Sequence, residues 1–214
     1  MNLYNLEDLK LKMNEEEDDE QDEEKGITEK PGSLFTKKQE EMFFKARSIY
    51  FWGVVDDKSA KEAVTKLLLL DADKPGKEIK FYINSPGGSV TSGMVVYDVM
   101  KMIKSPVSTI CMGFAASMGS IMLAAGEKGK RFIFPHGQVM IHQPLFGGYF
   151  QGVSADLEIQ AIEIQKTKEL GAKILSEASG QPYEKVLRDL ERDKYMDAAA
   201  SIAYGLVDKI IDKL

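Results

Sequence analysis

From Leu34 to the C-terminus, short β-branched and aromatic runs alternate with stretches of helical periodicity, and this alternation limits the possible folds more than any other feature. Strands separated by helices of such length pair in parallel through crossover connections, giving an α/β layer structure with a mostly parallel sheet. The periodicity predicts a helix over 35–47, then a buried strand in Ser48–Val55, whose residues are SIYFWGVV. Asp57 is placed to cap the next helix, which carries Ala60, Ala63, Val64, Leu67 and Leu68 and ends before Pro75. Ile79–Ile83 reads as a strand turned by Ser85-Pro-Gly-Gly88. A helix over 90–103, a strand over 106–112, a helix over 116–125 and short strands near Arg131–Phe134 and Gln138–His142 follow. A long helical pattern occupies Ser154–Ala178, and its apolar stripe of Leu157, Ile159, Ile162, Ile164, Leu170, Ile174 and Leu175 needs a covering partner, most simply another copy of the chain. Pro182 opens a further helix, Tyr195–Asp197 leads into the last one, and Gly205–Ile211 reads as a closing strand.

Charge divides the chain of 214 residues in two. Residues 1–33 hold twelve Asp and Glu against four Lys, and nine of the ten residues from Glu15 to Glu24 are acidic. At that density like charges repel and no apolar face forms, so residues 1–33 are expected to be a disordered acidic extension or propeptide, and 34–214 the folded domain. The remaining body is nearly neutral and carries no basic stripe, which argues against nucleic acid as a partner. No run reaches the roughly 18 apolar residues of a membrane helix, and the N-terminus has neither an apolar signal core nor the Arg-rich character of a transit peptide; a cytoplasmic protein without membrane association is expected. Cys111, the one cysteine, lies in an apolar run where it acts as a small buried hydrophobe.

Two histidines, His136 and His142, restrict the available chemistry. Six residues apart and without an adjacent carboxylate, they make a poor metal site, so no metal is expected. Ser117 stands out, in Gly113-Phe-Ala-Ala-Ser-Met-Gly119, between a buried strand and a helix. A sharp strand-to-helix turn exposes a hydroxyl and aims the next backbone N–H at a developing oxyanion. Ala115 replaces the first glycine of the G-x-S-x-G pattern, so the motif taken alone fits close packing as well as catalysis. Gly87 and Gly88 end another strand at its carboxyl edge, where parallel sheets form ligand crevices. His142 alternates with Val139 and Ile141 on a strand and is preferred as a base over His136, which sits between Pro135 and Gly137. Among 34 carboxylates, residue patterns single out no third member.

Five passages in order, Phe81–Gly88 (FYINSPGG), Ser108–Gly113, Ala115–Gly119, Val139–Leu145 (VMIHQPL) and Glu191–Asp193, closely resemble the proteolytic subunit of the Clp ATP-dependent protease. The likeness runs from about Ser48 to Ile211. It implies an α/β fold of the crotonase-like ββα superhelix type with a protruding long handle helix, and a serine endopeptidase assembled as two stacked heptameric rings around a closed chamber. Carried over by position, it implies Ser117 as nucleophile, His142 as general base, Asp193 as orienting acid, and the backbone N–H groups of Gly88 and Met118 as the oxyanion hole. The long Ser154–Ala178 helix corresponds to the family's handle, which interlocks the rings. The resemblance implies no cofactor in this chain; ATP is consumed by a partner AAA+ unfoldase, in keeping with the lack of a Walker G-x-x-x-x-G-K-[ST] stretch. Phe146 and Phe150 are extra residues relative to the family's Pro-Leu-Gly-Gly pattern, and Met102 stands where the family often has an aromatic in its unfoldase-docking pocket, with Tyr82 retained. The alternative is a low-activity paralogous ring subunit that needs a second subunit or activator; its usual mark, loss of a triad residue, is absent. An acyl-CoA enzyme of the same fold shares the backbone oxyanion hole but has no need of Ser117 with His142.

Overall fold

The computed structural model describes residues 31–145 and 152–213. The expected disorder of the acidic stretch, and the insertion at Phe146 and Phe150, lie outside the described residues. By contacts the chain divides after Phe43, and residues 44–214 form the larger compact unit. Helix α1 (Pro31–Lys45) begins four residues before the expected start, with Pro31 at the first helical position, where its missing N–H costs nothing.

In the larger unit, β1 (Ser48–Trp52), β2 (Ile79–Ser85), β3 (Val107–Ala116), β4 (Arg131–Ile133) and β7 (Lys209–Ile210) form a sheet in the order β1-β2-β3-β4-β7, every neighbouring pair parallel. The helices between them are α2 (Asp57–Asp73), α3 (Val90–Met102) and α4 (Met118–Ala124). After β5 (Gln138–Ile141) come α5 (Ser154–Ser179), α6 (Tyr183–Asp189), β6 (Lys194–Asp197) and α7 (Ala198–Tyr204). Phe81, Ile83, Leu67, Leu70, Met122, Leu123 and Ile133 are fully buried between the sheet and its helices, the main apolar driving force for the fold.

Three local readings are corrected. Asp56, not Asp57, caps α2: its backbone is extended, its carboxylate accepts the Ser59 N–H at 2.7 Å, and Ser59 Oγ accepts the Asp56 N–H at 2.9 Å. Asp57 instead accepts the Ser92 hydroxyl at 2.5 Å and joins α2 to α3. The strand expected over 106–112 continues to Ala116 because β3 changes partners. Its first half pairs with β4 at Thr109–Cys111, and its second half pairs with β5 at Phe114–Ala116. The register slip against β2 at this point is filled by Asn84, whose Oδ1 accepts the Phe114 N–H at 3.1 Å. Finally, the closing strand is only Lys209–Ile210. Gly205 ends α7 at φ 95°, with its Cα so close to Ser179 that an added Cβ would lie 2.2 Å from the Ser179 carbonyl oxygen. Asp208 then accepts hydrogen bonds from the Gly129 and Arg131 backbone N–H groups and from the Arg131 guanidinium. Arg131 is 3% exposed and also donates to the Ala178 carbonyl at 2.8 Å, which fastens the end of α5 to the sheet.

Helix α5 is buried only near that end, at Ala172, Ile174 and Leu175. Leu157, Ile159, Ile162 and Leu170 are about half exposed, so that part of the stripe is uncovered in the single chain, whereas Ile174 and Leu175, expected to need a partner, are covered by the chain's own core. Apolar side chains are also exposed at the edge strand β1, where Trp52 and Val54 lie open and Tyr50 stacks on Tyr82 at 4.7 Å; Met102, at the end of α3, is exposed too.

Candidate active site

Ser117 is one of two non-glycine residues with positive φ among the described residues, at φ 53°, ψ −123°. A serine held there is strained, and the surroundings enforce it. Ser117 N–H donates to the Met140 carbonyl at 2.9 Å, continuing the β3–β5 ladder by one residue, while its own carbonyl accepts Ser120 N–H at 2.9 Å and Ser120 Oγ at 2.6 Å, starting α4. The chain therefore reverses within one residue and leaves the hydroxyl at the carboxyl edge of the sheet.

The glycine turn after β2 packs against this reversal. Gly87 has φ 91°, and a Cβ there would sit 2.7 Å from Ser117 Cβ and 3.0 Å from Met118 N, so only glycine fits. Ser85 Oγ accepts the Gly87 N–H at 3.1 Å and holds the turn. Among the described residues, the backbone N–H groups of Gly88 and Met118 meet no acceptor. Two free donors on adjoining turns beside a strained serine form a concavity suited to an anionic oxygen.

His142 follows β5 directly, two residues beyond the carbonyl that anchors Ser117. Its Nδ1 lies 3.0 Å from Asp193 Oδ1, with the His142 side chain 13% exposed and that of Asp193 53%. The pair continues the antiparallel β5–β6 ladder, which ends at Ile141↔Lys194. Beyond it, Gln143 N–H donates to the Leu190 carbonyl at 2.6 Å and Gln143 Nε2 to the Glu191 carbonyl at 2.9 Å. The His–Asp contact is thus bracketed by backbone pairing on one side and by an amide clamp on the other. His136, by contrast, is an exposed loop residue.

Ser117 and His142 line one cavity, walled by apolar residues of α3, α4 and α5. Among the described residues no hydrogen bond joins Ser117 Oγ to His142. Such bonds are often long in unliganded enzymes and tighten around substrate.

In a comparison against protein-family models, the Clp protease family matches residues 33–214. The chain belongs to the Clp protease family. Clp protease membership makes it a serine peptidase, and the mixed α/β sheet with its long projecting helix is the Clp protease fold.

Asp189, which sequence reading passed over, stabilises the loop that carries Asp193 in this Clp protease. Its carboxylate receives Lys185 at 2.9 Å, Lys194 at 2.7 Å and the Tyr204 hydroxyl at 2.8 Å, joining α6, β6 and α7. Burial raises this carboxyl, but the three donors outweigh it and hold it down to about 2. Tyr204 is shifted up by burial and by the adjacent carboxylate. Gln143 was likewise unmarked; its position directly after His142 was the one signal available. Cys111 is fully buried and its thiol is pushed up to about 11 by burial, so it is a packing residue. Among the described residues no group of three His, Cys, Asp or Glu is arranged to hold a metal, and no helix is long and apolar enough to cross a membrane.

Proposed function

We propose that this Clp protease hydrolyses peptide bonds with Ser117 as nucleophile, His142 as general base and Asp193 as the acid that orients the imidazole. The observation that carries the reading is the 3.0 Å contact of His142 Nδ1 with Asp193 at the mouth of the cavity that Ser117 enters. Asp193 holds the proton on Nδ1, which leaves Nε2 free to take the Ser117 proton as Oγ attacks the carbonyl carbon. The Gly88 and Met118 N–H groups then bind the tetrahedral oxygen, each donor contributing roughly 3 kcal/mol of barrier lowering. Collapse of the intermediate expels the amine, which is protonated by His142, and water enters by the same route in reverse to release the acyl fragment.

The wider reading is an endopeptidase acting inside two stacked heptamers and fed unfolded polypeptide by an AAA+ unfoldase in the cytoplasm, with ATP used by that partner and no cofactor here. The exposed part of the α5 stripe supports ring pairing, and the apolar side chains of Trp52 and Val54 exposed at the edge strand support docking of a partner loop. Intact-mass analysis after treatment with a fluorophosphonate tests the chemistry. A single adduct mapped to Ser117 and lost in Ser117→Ala is expected; peptide cleavage retained by Ser117→Ala overturns the assignment.

The second reading is a ring subunit whose triad closes only on assembly with a paralogue or activator; it is compatible with the lack of a Ser117–His142 hydrogen bond among the described residues. That subunit is inert toward the fluorophosphonate alone and is labelled after mixing.

A further inference from the structure

Gly171 occupies the interior of the 26-residue helix α5, where glycine costs about 1 kcal/mol relative to alanine. Packing does not require it. A Cβ built on Gly171 meets nothing within 4 Å, whereas one on Gly93 would overlap the Met118 side chain at 2.2 Å. The helix therefore gives up stability to keep a space open.

That space belongs to the cavity beside Ser117. Thr167, Gly171 and Leu175 follow one another at intervals of four along one helix face, and all three line the cavity that Ser117 and His142 enter. Met94, Ile121 and Leu190 supply apolar walls from other elements. Among the described residues the one Lys or Arg on the lining, Lys168, is bound by Glu191 at 2.5 Å and is thereby occupied.

We infer that Gly171 sets the size of the substrate side chain accepted beside Ser117, opening the cavity to a large aromatic residue on the acyl side of the cleaved bond. The inference rests on the proposed Ser117 chemistry: the acyl-side side chain is attached to the atom next to the attacked carbon and is the one brought nearest to Ser117. A flat ring lies over the missing side chain at 171, and its exclusion from water supplies the preference.

Three internally quenched peptides, identical except for Trp, Leu or Ala at that residue, test it on the intact protein. The wild type is expected to favour Trp over Ala in kcat/KM. Gly171→Met fills the space and is expected to reduce the Trp-to-Ala ratio at least tenfold while affecting Leu less, since a few buried carbons are worth 10–200-fold in selection. Gly171→Ala, which adds one carbon to open space in a helix, is expected to raise the melting temperature and lower the ratio two- to threefold; it stands in should the Met variant misfold. A ratio unchanged in either variant while the fluorophosphonate still labels Ser117 overturns the inference alone. Wild-type cleavage that survives Ser117→Ala overturns the site assignment and this inference with it.

Discussion

Gln143 binds the Leu190 carbonyl through its backbone N–H at 2.6 Å, and its side chain reaches the next carbonyl along, that of Glu191. A residue adjacent to the histidine thereby holds the segment that delivers the aspartate. Replacing its amide with an isosteric apolar side chain, Gln143→Met, removes one hydrogen bond of roughly 0.5–1.5 kcal/mol and leaves the exposed Glu191 carbonyl to water. The expected outcome is a kcat about tenfold lower with KM within twofold. Steady-state kinetics on a short peptide check this; an unaltered kcat rules the clamp out.

Gly87→Ala forces a methyl to 2.7 Å from the Ala116 carbonyl oxygen and from Ser117 Cβ at a φ of 91°. The turn must move away from Ser117, displacing the Gly88 and Met118 donors. Loss of one such donor costs about 10²–10³ in rate, and the strain adds about 1–3 kcal/mol of destabilisation. Peptide hydrolysis and thermal melting measured on the same sample separate the two effects.

Asp189 makes acid stability predictable. Its folded pKa is depressed to about 2, against an unfolded value near 3.9. Its contribution is complete above the unfolded value and disappears as pH falls from about 4 toward 2, because the unfolded chain binds the proton first. Asp189→Asn keeps shape but loses the charge, and is expected to cost about 1–2 kcal/mol at neutral pH, allowing for the 18% exposure of its side chain. Denaturant melts at pH 7 and pH 3 should show the variant and wild type converging at the lower pH.

The apolar stripe on α5 gives a test of assembly. Ile159 and Ile162 are 56% and 49% exposed in the single chain. Charged replacements, Ile159→Glu with Ile162→Lys, leave the folded unit intact and are expected to shift the particle to a single ring or smaller by sedimentation velocity. A sedimentation coefficient equal to that of the wild type rules out ring pairing through this face.

The order of strands and helices was legible in the sequence because each element carries its own hydrophobic period, and Ser117 was legible because small residues flank a strand-to-helix junction. What stayed hidden depends on tertiary geometry. Asp56 and Asp57 are equivalent as text, and only the extended backbone of Asp56 makes it the cap. The length of β3 could not be read past Gly113, since its later residues are held by β5, a partner 24 residues away. Residue patterns left the orienting acid open among many carboxylates, and the resemblance named Asp193; its contact with His142 arises from the β5–β6 register, which joins segments more than fifty residues apart. Asp189 shows the same limit, because its three donors come from three elements.

The change of partners along β3 divides the site between parts of unequal local stability. Ser117 terminates the central strand, and its amide is closed onto Met140, so exposing it to exchange requires fraying the sheet itself. Asp193 hangs on β6, which is held only by a four-residue antiparallel ladder to β5 and can open while the sheet persists, whereas His142 stays with β5, the strand that also closes the Ser117 amide. Hydrogen–deuterium exchange should therefore find a slow Ser117 amide beside a faster arm around Asp193. Warming would silence this enzyme by loosening that arm well before the molecule unfolds.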